Sequence, residues 1–329
     1  MEAKVSVVIP NFNGLDYLDD CIDSLMKQNV RKFEIIIVDD ASADESMQKI
    51  MEKYPAEGAW PEMRFIRHFK NMGFCASVND GIAAAKAEYV ILLNNDTVAD
   101  PDFVRALWNA IRKDEQIFSV SSRMISLKDK EILDDCGDLY CALGWAFAPA
   151  KDKSIKKYKK RAEVFAACGG ASIYRKSMLD ELGGFDEAHF AYLEDMDMGY
   201  RAKLKGWRNM YEPSALVWHA GSASSGSRHN KFKVKLSARN NVYLISKNMP
   251  WWQILINLPF LLAGGLVKQA YFIRKKLGCA YFTGTLEGVK LSLSEGGRER
   301  RKLLKEVPAG RFWKTELELI RNVLRRFAG

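Results

Sequence analysis

Through its first hundred residues the chain alternates short, unbroken apolar runs with longer stretches whose apolar positions recur at helical spacing. Val5–Pro10, Phe33–Asp39, Met63–His68 and Tyr89–Leu93 are rich in β-branched residues and too short for helices, so they read as buried strands. Between them, Gly14–Gln28, Ala43–Tyr54 and Gly73–Ala87 read as amphipathic helices, with Asp44 placed to cap the second. A βαβαβαβ order requires crossover connections, and hence a mostly parallel sheet with helices on both faces. Three polar clusters follow strands: Asn11-Phe12-Asn13-Gly14, Asp39-Asp40-Ala41-Ser42 and Asn94-Asn95-Asp96-Thr97. Ligands of such sheets sit at the C-terminal ends of strands, so the three should meet in one crevice.

From Phe118 to about Gly221 the pattern is more broken, with strands expected around Ser119–Ser122 and Ala171–Tyr174 and an acidic helix start at Tyr192–Lys205. Lys151–Arg161 holds seven Lys and Arg without periodicity and reads as a mobile loop, either merely solvated or gripping an acceptor. After the small-residue linker Ser222–Ser227 the chain turns basic and Trp-bearing. This divides it into a catalytic domain at 1–227 and a helical, membrane-associating extension at 228–329. In the extension, Trp251–Ile273 approaches the twenty apolar residues a membrane-spanning helix needs, but only by including Gln253, Asn257, Pro259 and Lys268. Paired Trp at one end and Arg274-Lys275-Lys276 at the other suit an interfacial or re-entrant segment in the headgroup layer. Arg298–Phe327 reads as a basic amphipathic helix carrying Leu303, Leu304, Phe312, Leu317, Ile320, Val323 and Leu324. The plainer alternative packs both segments on the catalytic domain as ordinary helices.

Composition sharpens this picture. With 329 residues, 48% of them hydrophobic, the chain can bury a large core, which excludes a disordered or fibrous protein. Six scattered cysteines without a CxxC pair fit a reducing compartment better than a zinc or disulfide framework. No export signal is read in the run from Met1 to Ile9. The net charge of +9 is unevenly spread: residues 228–329 hold 21 Lys and Arg against 6 Asp and Glu, and residues 1–227 hold 29 against 35. A basic block of this kind seeks nucleic acid or acidic lipid headgroups, and no nucleic-acid motif accompanies it.

Several residues can carry chemistry. A carboxylate at the end of the second strand, Asp39 or Asp40, can accept hydrogen bonds from a base and ribose. Asp96 offers a hard oxygen ligand for Mg2+ or Mn2+ on a diphosphate, where the metal would act as a Lewis acid. No GxxxxGK[ST] or GxGxxG loop is present to hold phosphates otherwise. His219 can add an imidazole to the same metal, although on spacing alone a lone histidine is more often structural. Glu194, Asp195 and Asp197 crowd a helix start, where acids favour the macrodipole. Alternatively, one of them is the general base that inversion at a sugar carbon requires.

Together and in this order these segments resemble glycosyltransferase family 2, inverting enzymes of the Rossmann-like GT-A fold. Val5–Gly14 is similar to the family's opening strand and loop, Glu34–Ser42 to its base-binding strand, and Asn71–Ile82 to its N-x-G-F segment. The resemblance implies a donor site of Pro10, Asn11, Asn13, Asp39, Asp40, Asn71, Gly73, Phe74, Asn79, Asn94, Asn95 and Asp96. Asn94-Asn95-Asp96 stands at the DxD position with Asn in place of the first Asp, so the metal role carries over to Asp96, and His219 matches a metal-ligating histidine. Glu194-Asp195 matches the ED motif and implies Asp195 as catalytic base. Gly169, Gly170, Glu194 and Asp197 are the implied acceptor side. The rhamnosyltransferase-like branch is the most similar, which implies dTDP-L-rhamnose as donor, with UDP-galactofuranose, UDP-glucose and UDP-galactose open. It also implies a lipid-linked saccharide acceptor of bacterial surface polysaccharide synthesis and a peripheral or monotopic position on the cytoplasmic face of the membrane. A sugar nucleotidyltransferase would share the nucleotide-binding α/β domain and release pyrophosphate, but no glycine- and arginine-rich loop follows the first strand here. A nucleic-acid-binding protein would bind DNA or RNA in place of vesicles.

Overall fold

The computed structural model describes residues 3–54, 61–221 and 229–328. The Ser222–Ser227 linker, with the 227/228 boundary, and the side chain of Leu303 lie outside the described residues. In chain order the strands are β1 (Val5–Asn11), β2 (Phe33–Asp39), β3 (Glu62–Arg67), β4 (Tyr89–Leu93), β5 (Thr97–Ala99), β6 (Ile117–Ser126), β7 (Leu133–Asp135), β8 (Leu139–Cys141), β9 (Trp145–Phe147), β10 (Ala162–Val164), β11 (Ala171–Arg175) and β12 (Arg208–His219). The helices are α1 (Leu18–Met26), α2 (Ser46–Lys53), α3 (Phe74–Ala84), α4 (Phe103–Ile111), α5 (Lys176–Leu182), α6 (Glu194–Lys205), α7 (Lys231–Asn248), α8 (Trp251–Arg274), α9 (Gly278–Leu293), α10 (Glu295–Arg301) and α11 (Ala309–Phe327).

One sheet in the order β10-β12-β6-β11-β4-β1-β2-β3 forms the body. β3, β2, β1 and β4 are parallel, β12 is parallel to β6, and β11 runs antiparallel between β4 and β6. The continuous apolar runs are explained by burial of both faces. Val7, Ile9, Ile35, Ile37, Ile91 and Leu93 pack with α1 and α4, and Val8, Ile36, Val38, Val90 and Leu92 with α3 and α6. Successive residues thus serve opposite faces, as the two-residue period of a strand dictates. At Gly81 a Cβ would lie 2.2 Å from Val8 Cγ1, so glycine lets α3 sit against β1. The cap position of α2 is Glu45 and not Asp44, but the Asp44 carboxylate, one residue earlier, accepts the Ser46 amide that opens the helix and the Leu15 amide.

The Lys151–Arg161 segment is better tied than a mobile loop. Lys151 pairs with Asp134, Ser154 bridges to Ile132, and the Tyr158 and Tyr211 hydroxyls donate to Pro149 and Tyr158 carbonyls. Nor is the basic tail a single helix. It runs as α10, a 3-10 turn at Lys302–Glu306 and α11, because Pro308 has no N–H with which to continue the preceding turns.

A third core, with Tyr140, Phe165, Tyr200, Leu244, Phe312 and Leu319, joins α6 to α7 and α11. Beside it lies a buried ionic cluster. Asp197 accepts from Arg201 Nε (2.9 Å), Lys247 Nζ (2.8 Å) and Asn248 Nδ2 (2.8 Å), while Lys247 also reaches Asp186 at 2.9 Å. Burial would raise the Asp197 carboxyl, but the Arg201 and Lys247 charges hold it well below the ordinary range. Asp197→Ala would leave buried Arg201 without its carboxylate and Lys247 with Asp186 alone, so it should cost about 3–5 kcal/mol of stability in urea unfolding. A loss under about 1 kcal/mol would show the cluster to be dispensable.

Candidate active site

At the C-terminal end of the parallel strands lies a cleft of about 720 Å3, lined among others by Pro10, Asn11, Asp40, Asn71, Gly73, Phe74, Asn94, Asn95, Asp96, Gly169, Gly170, Glu194, Asp195 and His219. The three polar clusters do converge. Asn95 Nδ2 donates to Asn11 Oδ1 (2.8 Å), and Asn11 Nδ2 reaches Asp39 Oδ1 (3.0 Å) and Ser46 Oγ (3.0 Å). This buried network ties the ends of β1, β2 and β4 together, and each bond raises the cost of breaking the others.

Not every expected donor residue faces the cleft. Asp39 is fully buried and is engaged by Asn11, by the Ser42 amide and by Arg67 Nε at 3.5 Å. Asn13, at φ 52°, lies outside the cleft lining and braces the neighbouring turn by accepting from the Ala43 amide. Asn79 is likewise outside and joins α3 to the Phe185 backbone through both ends of its amide. Asp40 does face the cleft, where its carboxylate accepts the Met72 (2.7 Å) and Gly73 (2.8 Å) amides and pairs with His68. Gly73 has φ 91° and leaves 2.5 Å between a built Cβ and the Phe190 ring, so a side chain would be both strained and obstructed.

Strand pairing brings the candidate metal residues together. β5 pairs antiparallel with β12 and sets His219 opposite Thr97, next to Asp96. His219 Nε2 lies 3.2 Å from Asp96 Oδ1, while Nδ1 lies 2.7 Å from Asp134 Oδ2 on β7. Burial would lower the His219 pKa, but its hydrogen bonds to Asp134 and Asp96 push it up to about 9. Asp134, against the burial that would raise it, is held down to about 2 by His219 and Lys151. A carboxylate on Nδ1 fixes the tautomer that leaves Nε2 free for a metal shared with Asp96, and a bound diphosphate would complete the coordination. The residues present therefore fit a divalent ion. Asp134 was not legible as part of this site. Asp134→Asn should weaken Mn2+ binding roughly 10–100-fold, read by titration of the free protein. An unchanged affinity would remove Asp134 from the site.

A second group of ligand-type atoms, on Asp135, Asp138 and Cys168, lies within 4.8 Å. Burial pushes all three upward, Asp135 to about 7, which favours neutral, hydrogen-bonding forms over metal ligation. A smaller cavity of about 290 Å3 beneath α6, α7 and α11 is lined by Arg201, Lys247 and Arg300. Those charges are already paired with Asp197 and Asp186.

The acidic motif stands at the start of α6. Asp195 Oδ2 accepts the Gly169 amide at 3.2 Å and Oδ1 the Met196 amide at 2.7 Å. Burial pushes its pKa up and these backbone N–H groups pull it back. Glu194 is raised to about 8, by burial and then by the Asp195 charge, and its Oε2 is buried without a hydrogen-bond partner among the described residues. Asp197, expected beside the acceptor, lies outside the cleft lining in the ionic cluster. Residues two apart on a helix are about 200° apart around its axis, so Asp195 and Asp197 cannot share a face.

The approach to this helix is strained, with Phe190, Tyr192 and Leu193 at φ 63°, 69° and 65°. α7 holds it. Asn240 Nδ2 donates to the His189, Ala191 and Tyr192 carbonyls, and Arg239 to those of Ala188 and His189. The first helix of the basic region thus helps to position the acidic motif.

Known proteins are similar to this chain in sequence and in fold. The model of "Glycosyl transferase family 2" matches residues 6–183, more than half of the chain. The N-acetylglucosaminyl-diphospho-decaprenol L-rhamnosyltransferase of Mycobacterium tuberculosis is 25% identical over 303 residues, covering 83% of this chain and 94% of the relative. A cholesterol galactosyltransferase of Borreliella burgdorferi is 34% identical over 137 residues, 40% of this chain and 37% of that protein. Among solved structures, the mannosyltransferase PcManGT of Pyrobaculum calidifontis, in complex with GDP-Man and Mn2+, superposes with a TM-score of 0.54 at 16% identity, over 96% of this chain and 88% of its own. With the motifs gathered in one cleft on a GT-A fold, and the family model matched over residues 6–183, the protein is a hexosyltransferase that belongs to glycosyltransferase family 2.

Proposed function

We propose that the protein transfers L-rhamnose from dTDP-L-rhamnose, with inversion, to a lipid-linked saccharide on the cytoplasmic face of a bacterial membrane. The observation that carries the donor and acceptor is the near full-length likeness to a rhamnosyltransferase whose named acceptor is N-acetylglucosaminyl-diphospho-decaprenol. In this reading Asp40 and the Asn71–Phe74 turn shape the nucleoside end of the cleft, and Asp96 with His219 holds a Mg2+ or Mn2+ ion. When bound, that ion supplies Lewis-acid stabilisation to the departing diphosphate.

Asp195 does the proton chemistry. As the acceptor oxygen forms its bond to C1, the bond from C1 to the diphosphate oxygen breaks and the hydroxyl proton passes to Asp195. Gly169, whose built Cβ would stand 3.6 Å from Asp195 Cβ, leaves room for the acceptor beside that carboxylate. Glu194, with its unpartnered oxygen, is placed to accept from another acceptor hydroxyl. A panel of dTDP-L-rhamnose, UDP-galactofuranose, UDP-glucose and UDP-galactose, each with and without Mg2+ or Mn2+, tests the donor through metal-dependent hydrolysis. Preference for a UDP-sugar would replace rhamnose, and indifference to every donor would overturn the assignment of the cleft.

A further inference from the structure

The C-terminal helices turn apolar residues outward where a water-soluble protein keeps polar ones. On α11, Trp313, Leu317, Ile320, Leu324 and Phe327 are exposed and recur every three or four residues. On α9 the exposed set is Phe282, Leu286, Val289 and Leu293, at the same spacing. On α8 it includes Trp251, Leu255, Leu258, Leu262, Leu266 and Ile273. The helices also touch: the Trp252 and Trp313 rings lie 4.9 Å apart and those of Phe272 and Tyr281 5.3 Å apart. Outward stripes on three adjoining helices far exceed the scattered apolar residues of an ordinary surface.

α8 has the length and mean hydropathy of a membrane span, yet its inner side is fastened to the protein. Gln253 Nε2 and Asn257 Nδ2 both donate to Glu316 Oε2, at 2.7 and 2.8 Å. Gly264 lies so close to the β8–β9 turn that a Cβ would stand 2.2 Å from the Leu143 oxygen, and Trp145 Nε1 donates to the Gly264 carbonyl at 3.1 Å. To cross a bilayer, α8 would have to abandon these bonds and carry Gln253 and Asn257 into hydrocarbon without Glu316. Cations flank the stripes: Arg274, Lys275 and Lys276 end α8, and Arg325 and Arg326 end α11.

We infer that α8, α9 and α11 form one monotopic docking face for an anionic lipid bilayer, with α8 lying in the interface and not crossing it. The apolar stripes enter the boundary between headgroups and acyl chains, and the flanking cations meet acidic headgroups. The inference rests on the reading of a lipid-linked acceptor only for its biological purpose; transfer to a detergent-dispersed lipid-linked saccharide, without vesicles, tests that reading separately.

The test uses the purified full chain and sealed vesicles of phosphatidylcholine with or without phosphatidylglycerol. The protein should float with the anionic vesicles, and less so at high salt. L262D/L266D and L317D/L324D alter only exposed positions and should each lower binding roughly ten-fold or more while donor hydrolysis persists. Unchanged flotation in either variant would overturn the shared face, as would a lipid-free dimer that buries it and does not float. Topology is read in a C279S/E295C variant, whose single new thiol replaces an exposed, polar side chain at the start of α10, off the apolar stripes. A membrane-impermeant maleimide should label it in inside-out membranes and not in right-side-out ones. The reverse pattern would mean that α8 spans the bilayer.

Discussion

Asp195→Asn should reduce turnover about 10²–10⁴-fold while leaving nucleotide-sugar binding close to that of the parent. The substitution keeps the size of the side chain and one acceptor oxygen for the Gly169 amide, but removes the proton acceptor. A loss of this kind appears in kcat and hardly in donor affinity, because the acceptor proton moves only as the new bond forms. The pH dependence adds an independent readout. Burial raises the Asp195 pKa, so the base becomes protonated and activity falls at a pH above the ordinary carboxylate range. The acid limb of the rate profile should therefore lie higher than that of an exposed aspartate and vanish in the variant. If the variant turns over normally, or keeps the same acid limb, Asp195 is not the base.

Asp96→Asn should have the next largest effect, lowering turnover about 10²–10³-fold and weakening metal binding together. Asp96 is buried and faces His219 Nε2 at 3.2 Å, so the pair presents one oxygen and one nitrogen to a common point. Asparagine keeps the volume but supplies a neutral, weaker ligand. Mn2+ titration of the free protein and metal-dependent donor hydrolysis should fail in parallel. Intact Mn2+ affinity with lost hydrolysis would mean that Asp96 acts on the donor directly. Because the free His219 binds its proton tightly, with a pKa of about 9, metal must displace a proton at neutral pH, and affinity should rise as pH rises from 6 to 9.

Much of the α/β body was readable along the chain. β2 and β4 have the expected limits, and α1, α2 and α3 lie within the expected helices but begin later. Local periodicity suffices there because each strand is an unbroken apolar run buried on both faces. The site was legible through its strand-end clusters and the ED motif, all set within a few residues of a strand or helix terminus. Other features gave no such signal. Nothing near Asp134 announces His219, which is 85 residues away along the chain and is brought close by pairing of β12, β6 and β7. Arg239 and Asn240 carry no local sign of their role, and packing shows them clamping the strained turn before α6.

The two adjacent acids of the second strand and the acids of the α6 motif show where the division falls. Residue types and spacing along the chain placed carboxylates at a strand end and at a helix start that border the cleft. They did not decide which carboxylates face the cleft. Asp40 faces it and Asp39 does not, because a strand turns successive residues to opposite sides; Asp195 faces it and Asp197 does not, because a helix turns residues two apart nearly opposite. The order of elements, the polar clusters at strand ends and the apolar spacing of the tail are local properties, written in neighbouring residues. The tertiary structure alone decided which acid meets the cleft, which cation neutralises the other, and that α8 is fastened along one side by Glu316. Those outcomes depend on partners distant in the chain, whose meeting is set by sheet register and helix packing.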